Sequence, residues 1–194
     1  MHARHCSVMV GESALKRPAL VPEGDEALVA RFVSGDQRAF TVLFKRHARY
    51  VASVAFRLLG DSNELDDVVQ ETFAICLQNL PSLEEPCRVR PWLVTIAVRR
   101  AQRRLQARRR RRWLGSEVAL VSAQASDPLV SHEVRELYRV LEGLSPKLRV
   151  PWTLSRIEGG TLDEVAEWCE LSLATLKRRL VRADDHIERR LKGG

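Results

Sequence analysis

Apolar residues recur every three or four positions along most of the chain from Asp25 onwards, which is the spacing of amphipathic helices. No segment alternates apolar and polar residues like a half-buried strand, and no internal repeat is visible. We therefore predict an all-α fold of two small helical domains, residues 25–112 and 132–192, joined by a flexible linker at 113–131. Residues 1–24 lack the pattern and are predicted to form a flexible extension.

The first domain begins with a short apolar run that breaks at Gly35-Asp36, followed by a longer run that ends at Gly60-Asp61. Glycine is a helix stop signal and aspartate a start signal, so these pairs predict helix boundaries. The longer run is predicted to bury Phe40, Leu43, Phe44, His47, Val51, Val54 and Ala55.

A third helix is acidic and has two distinct faces. Its predicted buried face comprises Leu65, Val68, Val69, Thr72, Phe73, Cys76, Leu77 and Leu80. The opposite face carries Asp67, Gln70 and Glu71 with Asp66 at its edge, and we call these four residues the acidic ridge. The ridge is either a partner-binding surface or a solvated face whose acids favour the helix dipole.

After a loop from Pro81 to Pro91, the pattern predicts a helix rich in arginine, here called the arginine helix. Its predicted buried stripe is Leu93, Ile96, Ala97, Ala101 and Leu105. Two rows of arginines flank that stripe: Arg99 with Arg103, and Arg100 with Arg104 and Arg108. No acid lies within the helix, so we expect the guanidinium groups to face outward and stay unpaired until an anionic partner binds. Trp92 either packs beneath the loop or stacks on an exposed base.

The second domain contains the pattern of a helix-turn-helix. Helices are predicted from His132 and after a break at Ser145-Pro146, with Pro151 in a first turn. Thr161 and Glu164 then have the spacing of a capping box, and Cys169-Glu170-Leu171 forms a very short turn. The last helix is predicted to bury Leu173, Leu176, Leu180, Ala183 and Ile187, and to present Ser172, Ala174, Thr175, Lys177, Arg178 and Arg182 to DNA. An ordinary helical hairpin is the alternative.

Charge is strongly segregated within the 194 residues, whose net charge is +7. Eleven arginines and no acid lie between Arg88 and Arg112, whereas seven acids and no base lie between Asp61 and Glu85. A local cationic stripe is typical of a polyanion-binding surface, and the adjacent acidic block indicates a second, different partner.

Other chemistry is not indicated. The four cysteines form no C-x-x-C pair, and we expect reduced thiols in a cytoplasmic protein without a metal site, although His2, His5 and Cys6 lie close together. No run has the length of a membrane span or a signal peptide. Because no histidine has a motif-spaced partner and no glycine-rich phosphate loop is present, we expect no enzyme activity, cofactor or small-molecule substrate.

Three motifs in order, DDVVQETFAICLQNL, RPWLVTIAVRRAQRRL and LSPKLRVPWTLSRIEGGTLDEVAEWCELSLATLKRRLVRA, resemble the sigma factors of bacterial RNA polymerase, in particular the short extracytoplasmic-function group. The resemblance covers most of the chain from Asp25 to Leu191. It implies two helical domains that recognise the minus-10 and minus-35 promoter elements. The turn departs from the family pattern, since Glu170 and Ala174 stand where glycines are common.

The resemblance also implies a partner for each surface. The acidic ridge (Asp66, Asp67, Gln70 and Glu71) would bind the coiled coil of the β′ subunit of core RNA polymerase, and the β subunit would be a further part of that partner. The arginine helix would bind minus-10 DNA through Trp92, Arg99, Arg100, Arg103 and Arg104, and the loop from Ser82 to Arg90 would capture a flipped base. Ser172, Ala174, Thr175, Lys177, Arg178 and Arg182 would face the minus-35 element, and an anti-sigma factor would be a further partner.

Two other functions are compatible with parts of the sequence. A helix-turn-helix regulator that acts without polymerase would explain the second domain but leave the acidic ridge without a role. A decoy that binds an anti-sigma factor and no DNA would leave the eleven arginines between Arg88 and Arg112 unexplained.

Overall fold

This computed structural model describes residues 23–114 and 132–192, and in these ranges every regular element is helical. The prediction of an all-α fold is confirmed. The eight α-helices are α1 (Asp25–Val33), α2 (Gln37–Leu59), α3 (Leu65–Asn79), α4 (Val89–Trp113), α5 (His132–Gly143), α6 (Pro146–Arg156), α7 (Leu162–Trp168) and α8 (Leu173–Lys192). Two short 3₁₀ turns, Leu80–Ser82 and Pro86–Arg88, connect α3 to α4. The predicted extension, nearly all of the predicted linker, and the group of His2, His5 and Cys6 lie outside the described residues.

Helices α1 to α4 form the first lobe, and local signals set their boundaries. The Asp36 side chain accepts a hydrogen bond from the backbone N–H of Arg38 at 3.0 Å, which starts α2. Gly60 ends α2 with a φ of 78°, a left-handed conformation that glycine adopts without strain. The arginine helix, α4, packs against both α2 and α3. One hydrophobic cluster belongs to this lobe alone and consists of Leu28, Val29, Phe32, Ala39, Leu43, Val51, Phe73, Cys76, Leu80, Val89, Leu93 and Ala97.

Helices α5 to α8 form the second lobe, which ends in a helix-turn-helix made by α7 and α8. Thr161 and Glu164 form the predicted capping box at the start of α7. Pro146 occupies the first turn of α6, but the expectation that Pro151 lies in a first turn is wrong, because Pro151 is inside α6. Its ring removes one helical hydrogen bond, and α6 tolerates this because its residues from Val150 to Leu154 are all buried.

The two lobes pack directly against each other through one shared hydrophobic cluster. The first lobe contributes Val54, Ala55, Leu58, Leu59, Val68, Val94, Val98, Ala101 and Leu105. The second lobe contributes residues from α5 to α8, among them Tyr138, Leu141, Val150 and Trp168. Burial of apolar surface is the main favourable term in such packing. The two lobes therefore make an extensive contact with each other, and we call this contact the seam.

A glycine at the end of α2 allows a close approach across the seam. A Cβ atom on Gly60 would lie 2.6 Å from Cδ1 of Tyr138 and 2.9 Å from Nη2 of Arg149. The Tyr138 hydroxyl donates to the carbonyl of Arg57 at 3.1 Å, and Nη2 of Arg149 donates to the carbonyl of Leu59 at 2.9 Å. Both side chains of the second lobe thus contact the carboxyl end of α2.

Three residues predicted to be buried are substantially exposed. Phe44 is 40% exposed, Leu77 41% and Leu173 42%. Phe44 packs edge-on against Phe73 with ring centroids 4.7 Å apart, so one side of its ring is covered. Amphipathic spacing predicts which face points inward, but burial also requires a neighbouring element over that face.

A helix that spans a bilayer must be long and predominantly apolar. Across residues 23–114 and 132–192, no helix combines the length and apolar character that a membrane span requires.

Candidate nucleic-acid and protein interfaces

The acidic ridge lies on the side of α3 that faces away from the core. Asp66, Asp67 and Gln70 are exposed, and the Glu71 side chain is 40% exposed. Val68 and Thr72 on the opposite side of α3 are fully buried, so the helix packs on the core through one face and presents the ridge on the other. The structure therefore brings the four predicted residues together on one accessible face.

The arginine helix lies beside this ridge and makes ion pairs with it. Nη1 of Arg104 lies 3.5 Å from Oδ2 of Asp67, and Nη2 of Arg104 donates to Oε1 of Glu71. Nη1 of Arg100 lies 3.7 Å from Oε2 of Glu71. The two oppositely charged surfaces are thus adjacent and partly neutralise each other.

The expectation that the guanidinium groups of the arginine helix stay unpaired is wrong. Arg99, Arg100, Arg104 and Arg108 all contact carboxylates that come from other elements of the chain. Spacing within one helix does not reveal these partners, since acids of α3, of its preceding loop and of the second lobe supply them. The Arg99 side chain is 53% exposed, so its pair is open to water, whereas the side chains of Arg100, Arg104 and Arg108 are only 26%, 30% and 18% exposed. Arg103 is exposed and contacts no carboxylate within residues 23–114 and 132–192.

Arg108 has a different environment from the other arginines of the helix. Its side chain is 18% exposed, and its guanidinium contacts Oδ2 of Asp61 at 2.5 Å and Oε2 of Glu64 at 2.8 Å. Burial alone would lower the pKa of Arg108, but the hydrogen bonds and charges of Asp61 and Glu64 outweigh it and raise the pKa. This arginine fastens α4 to the start of α3 and has little capacity left for DNA.

A cleft opens between the loop after α3 and the start of α4. It has a volume of about 560 Å³ and is lined by residues that include Trp92, Thr95, Arg88 and Arg99. Trp92 is half-buried and packs against the core, yet it also lines the cleft. The two predicted roles of Trp92, packing and contact with a base, are therefore geometrically compatible.

The helix-turn-helix presents its predicted DNA-facing residues at the start of α8. Ala174, Lys177, Arg178 and Arg182 are exposed, as is Ser172 just before the helix. Thr175 is half-buried, and its backbone N–H donates to Oγ of Ser172 at 3.3 Å. The six predicted residues thus lie in the amino-terminal half of α8 or, for Ser172, just before it.

Residues of the seam are structurally important and were missed from the sequence. Arg149 is 4% exposed, its Nε has no hydrogen-bond partner in the described part of the chain, and burial lowers the pKa of Arg149 to about 10. Glu158, Glu167 and Glu170 of the second lobe form ion pairs with Arg57, Arg88 and Arg99 of the first. No local pattern signals a contact between residues so distant in sequence; the unusual glutamate in the turn is the single hint.

An acidic ridge and an arginine helix in one bundle, followed by a helix-turn-helix, define the class of transcription factors built from sigma-70 regions 2 and 4. Residues 43–111 match the family model of sigma-70 region 2, and residues 134–184 match that of sigma-70 region 4.

More particularly, the chain is similar to the ECF RNA polymerase sigma-E factors of Salmonella typhimurium and Escherichia coli. Each is 31% identical over 182 residues, which is 87% of this chain and 94% of the relative. The chain therefore belongs to the ECF sigma factor family. The sigma-E factor of Haemophilus influenzae is 28% identical over a similar span.

Solved structures agree with this fold. CnrH, solved in complex with the cytosolic domain of CnrY, superimposes with a TM-score of 0.62 at 26% identity over 88% of this chain and 99% of that one. The sigma factor RpoE of Bartonella quintana, co-crystallised with the anti-sigma factor NepR, superimposes with a TM-score of 0.58 at 22% identity over 79% and 96%. The second likeness concerns the fold alone.

Proposed function

We propose that this sigma factor binds core RNA polymerase, directs it to a narrow set of promoters and helps to melt them. The observation that carries the proposal is the sequence of three surfaces along one chain: an acidic ridge, an arginine helix and a helix-turn-helix. Neither a regulator acting alone nor a decoy requires all three.

The acidic ridge is the proposed polymerase-binding surface. Asp66, Asp67 and Gln70 are exposed, and the partners of Asp67 and Glu71 are arginines that are themselves partly exposed. Pairs of this kind are weak, so a positively charged surface of the β′ or β subunit can replace the arginines. Replacement would also free Arg100 and Arg104 for DNA.

The arginine helix and the adjacent cleft are the proposed minus-10 site. Arg103 can contact phosphate directly, whereas Arg99, Arg100 and Arg104 have to exchange a carboxylate for a phosphate. A cleft of about 560 Å³ beside Trp92 has room for a base extruded from the duplex. Extrusion costs a few kcal/mol, which stacking and phosphate contacts can offset.

The exposed face of α8 is the proposed minus-35 site. A recognition helix enters the major groove with its amino-terminal residues, which here are Ser172, Ala174, Thr175, Lys177 and Arg178, with Arg182 one turn further. Phosphate contacts by the three basic residues would make binding strongly dependent on salt. A protein that binds and silences the factor, an anti-sigma factor, is the proposed further partner, because the similar CnrH was solved with a bound protein domain.

Run-off transcription tests the proposal directly. Core RNA polymerase freed of its own sigma factors is mixed with this chain and fragments of the source genome. We expect discrete transcripts that appear only when the chain is added. A variant with Arg178→Ala and Arg182→Ala, both exposed positions, should remain folded and lose these transcripts. Absence of chain-dependent initiation on every fragment would contradict the proposed function and favour a regulator or a decoy.

A further inference from the structure

Two carboxylates of the helix-turn-helix lie against arginines of the first lobe. Nη2 of Arg88 lies 2.5 Å from Oε1 of Glu167, in α7. Nε of Arg99 donates to Oε2 of Glu170 at 2.8 Å, while Nη2 of Arg99 donates to Oε1 of the same residue. The second contact is bidentate, which is the geometry in which a guanidinium also binds a phosphate.

The backbone of Glu170 is strained at the point where its side chain contacts Arg99. Glu170 has a φ of 53°, and it is the one residue other than glycine with a positive φ among residues 23–114 and 132–192. Glycine adopts this conformation without strain, whereas a residue with a Cβ atom does not. Glutamate at this position of the turn therefore costs strain that glycine would avoid. In return, its carboxylate makes the bidentate contact with Arg99, which glycine cannot make.

The same two arginines border the cleft beside Trp92. Arg88 and Arg99 line that cleft, and Glu167 of α7 reaches its rim. The second lobe thus places negative charge where a nucleic-acid backbone entering the cleft would place its phosphates. A strand in the cleft and the two carboxylates compete for the same guanidinium groups.

We propose that the packed arrangement of the two lobes is a self-inhibited state, in which Glu167 and Glu170 occupy Arg88 and Arg99 in place of DNA phosphates. This inference rests on the proposed function of the arginine helix. It adds a regulatory role within the chain itself, carried by the turn of the helix-turn-helix, and requires no second protein to block the cleft.

The two parts of the seam have different roles in this state. The shared hydrophobic cluster brings the lobes together, and the rim of ion pairs determines which charges are covered. The Glu167 and Glu170 side chains are 44% and 54% exposed, so their pairs are weak and exchange readily. A polyanion at sufficient concentration therefore displaces them, and binding of polymerase to the nearby acidic ridge has an equivalent effect on Arg100 and Arg104.

The test compares binding of single-stranded DNA by charge-matched variants of the full chain. Glu167→Gln with Glu170→Gln removes both carboxylates and keeps the side-chain shape. The control, Glu136→Gln with Glu188→Gln, makes the same change of net charge at two exposed glutamates that pair within their own helices. A fluorescein-labelled oligodeoxynucleotide of random sequence is titrated with each protein at several salt concentrations, without polymerase.

We expect the seam variant to bind the oligonucleotide more tightly than the control, on the order of 2- to 30-fold, since two weak pairs no longer compete. The slope of log K against log salt should also become steeper, by roughly 0.7 for each additional phosphate that the arginines neutralise. Glu170→Gly alone removes the strain together with the carboxylate, and should likewise bind more tightly than the wild-type chain. This variant keeps the test valid if the double variant folds poorly.

Equal affinities for the seam variant, the control and the wild-type chain would overturn the inference. Run-off transcription with the wild-type chain separates this failure from a failure of the proposed function. Initiation together with equal affinities overturns self-inhibition alone. Absence of initiation overturns the proposed function and the inference with it.

Discussion

Replacing Arg149 by methionine should stabilise the folded protein. Arg149 is 4% exposed, and Nη2 donates to the carbonyl of Leu59 at 2.9 Å, while Nε lacks a partner among the described residues. Burial lowers the pKa of Arg149 from its usual value to about 10. Because the pKa is lower in the folded than in the unfolded chain, the cost of the buried charge is present below about pH 10 and disappears only as the pH rises above it.

The size of the gain follows from that shift and from the contacts that remain. The lowered pKa corresponds to about 3 kcal/mol of stability lost at neutral pH, as an upper bound. Methionine gives up the hydrogen bond to Leu59, but Nη1 of Arg108 still lies 3.3 Å from that carbonyl. We therefore expect a net gain of about 1–3 kcal/mol, or an increase in Tm of roughly 2–10 °C.

Thermal unfolding of the full chain, followed by circular dichroism, measures this change. Arg139→Met is the control, because Arg139 is 66% exposed and pairs with Glu136 in its own helix. The control should leave Tm nearly unchanged. A Tm for Arg149→Met below that of the wild-type chain would refute the reasoning, since it would mean that the guanidinium contributes more through its hydrogen bonds than its burial costs.

Three further changes test other parts of the structure. Asp67→Asn with Glu71→Gln should weaken binding to core polymerase by about 5- to 30-fold in a fluorescence titration, while affinity for an isolated minus-35 duplex, which is proposed to contact α8, is maintained; equal loss of both would indicate misfolding. Thr161→Ala removes the capping box and should cost about 1 kcal/mol in urea unfolding, with no loss refuting the role of the cap. Gly60→Ala introduces a Cβ atom 2.6 Å from the ring of Tyr138 and should cost about 2–4 kcal/mol in the same assay; a neutral effect would show that the seam is loose.

Features encoded within a few residues were readily predicted from the sequence. Gly60 ends α2 and Thr161 caps α7 because each acts on its own backbone neighbours. The acidic ridge was predicted correctly as one face of α3, since helical spacing alone determines which side chains share a face. The positive φ of Glu170 agrees with the family pattern, in which glycine is common at this position of the turn.

Features that depend on distant contacts were not predictable in this way. Arg99 pairs with Glu170, which is 71 positions away in the sequence, and Arg104 pairs with Glu71, which is 33 positions away. The positive charge of α4 therefore looks uncompensated when the helix is considered alone. Arg149 stands between Leu148 and Val150, but a charged side chain is normally expected at the surface, and its partner, the carbonyl of Leu59, is distant in sequence. Leu173 was predicted to be buried and is 42% exposed, because no helix of the described ranges fully covers the first turn of α8 on that side. Packing between elements decides each of these cases.

The central claim is that polymerase contacts the acidic ridge while promoter DNA lies along the arginine helix. Photo-crosslinking tests it most directly, with a light-activated amino acid placed at Gln70 in one protein and at Arg103 in another, both exposed positions. In the reconstituted complex with core polymerase and promoter DNA, Gln70 should crosslink to a polymerase subunit and Arg103 to the DNA strand. Crosslinks from Gln70 to DNA, or from Arg103 to polymerase alone, would contradict the account.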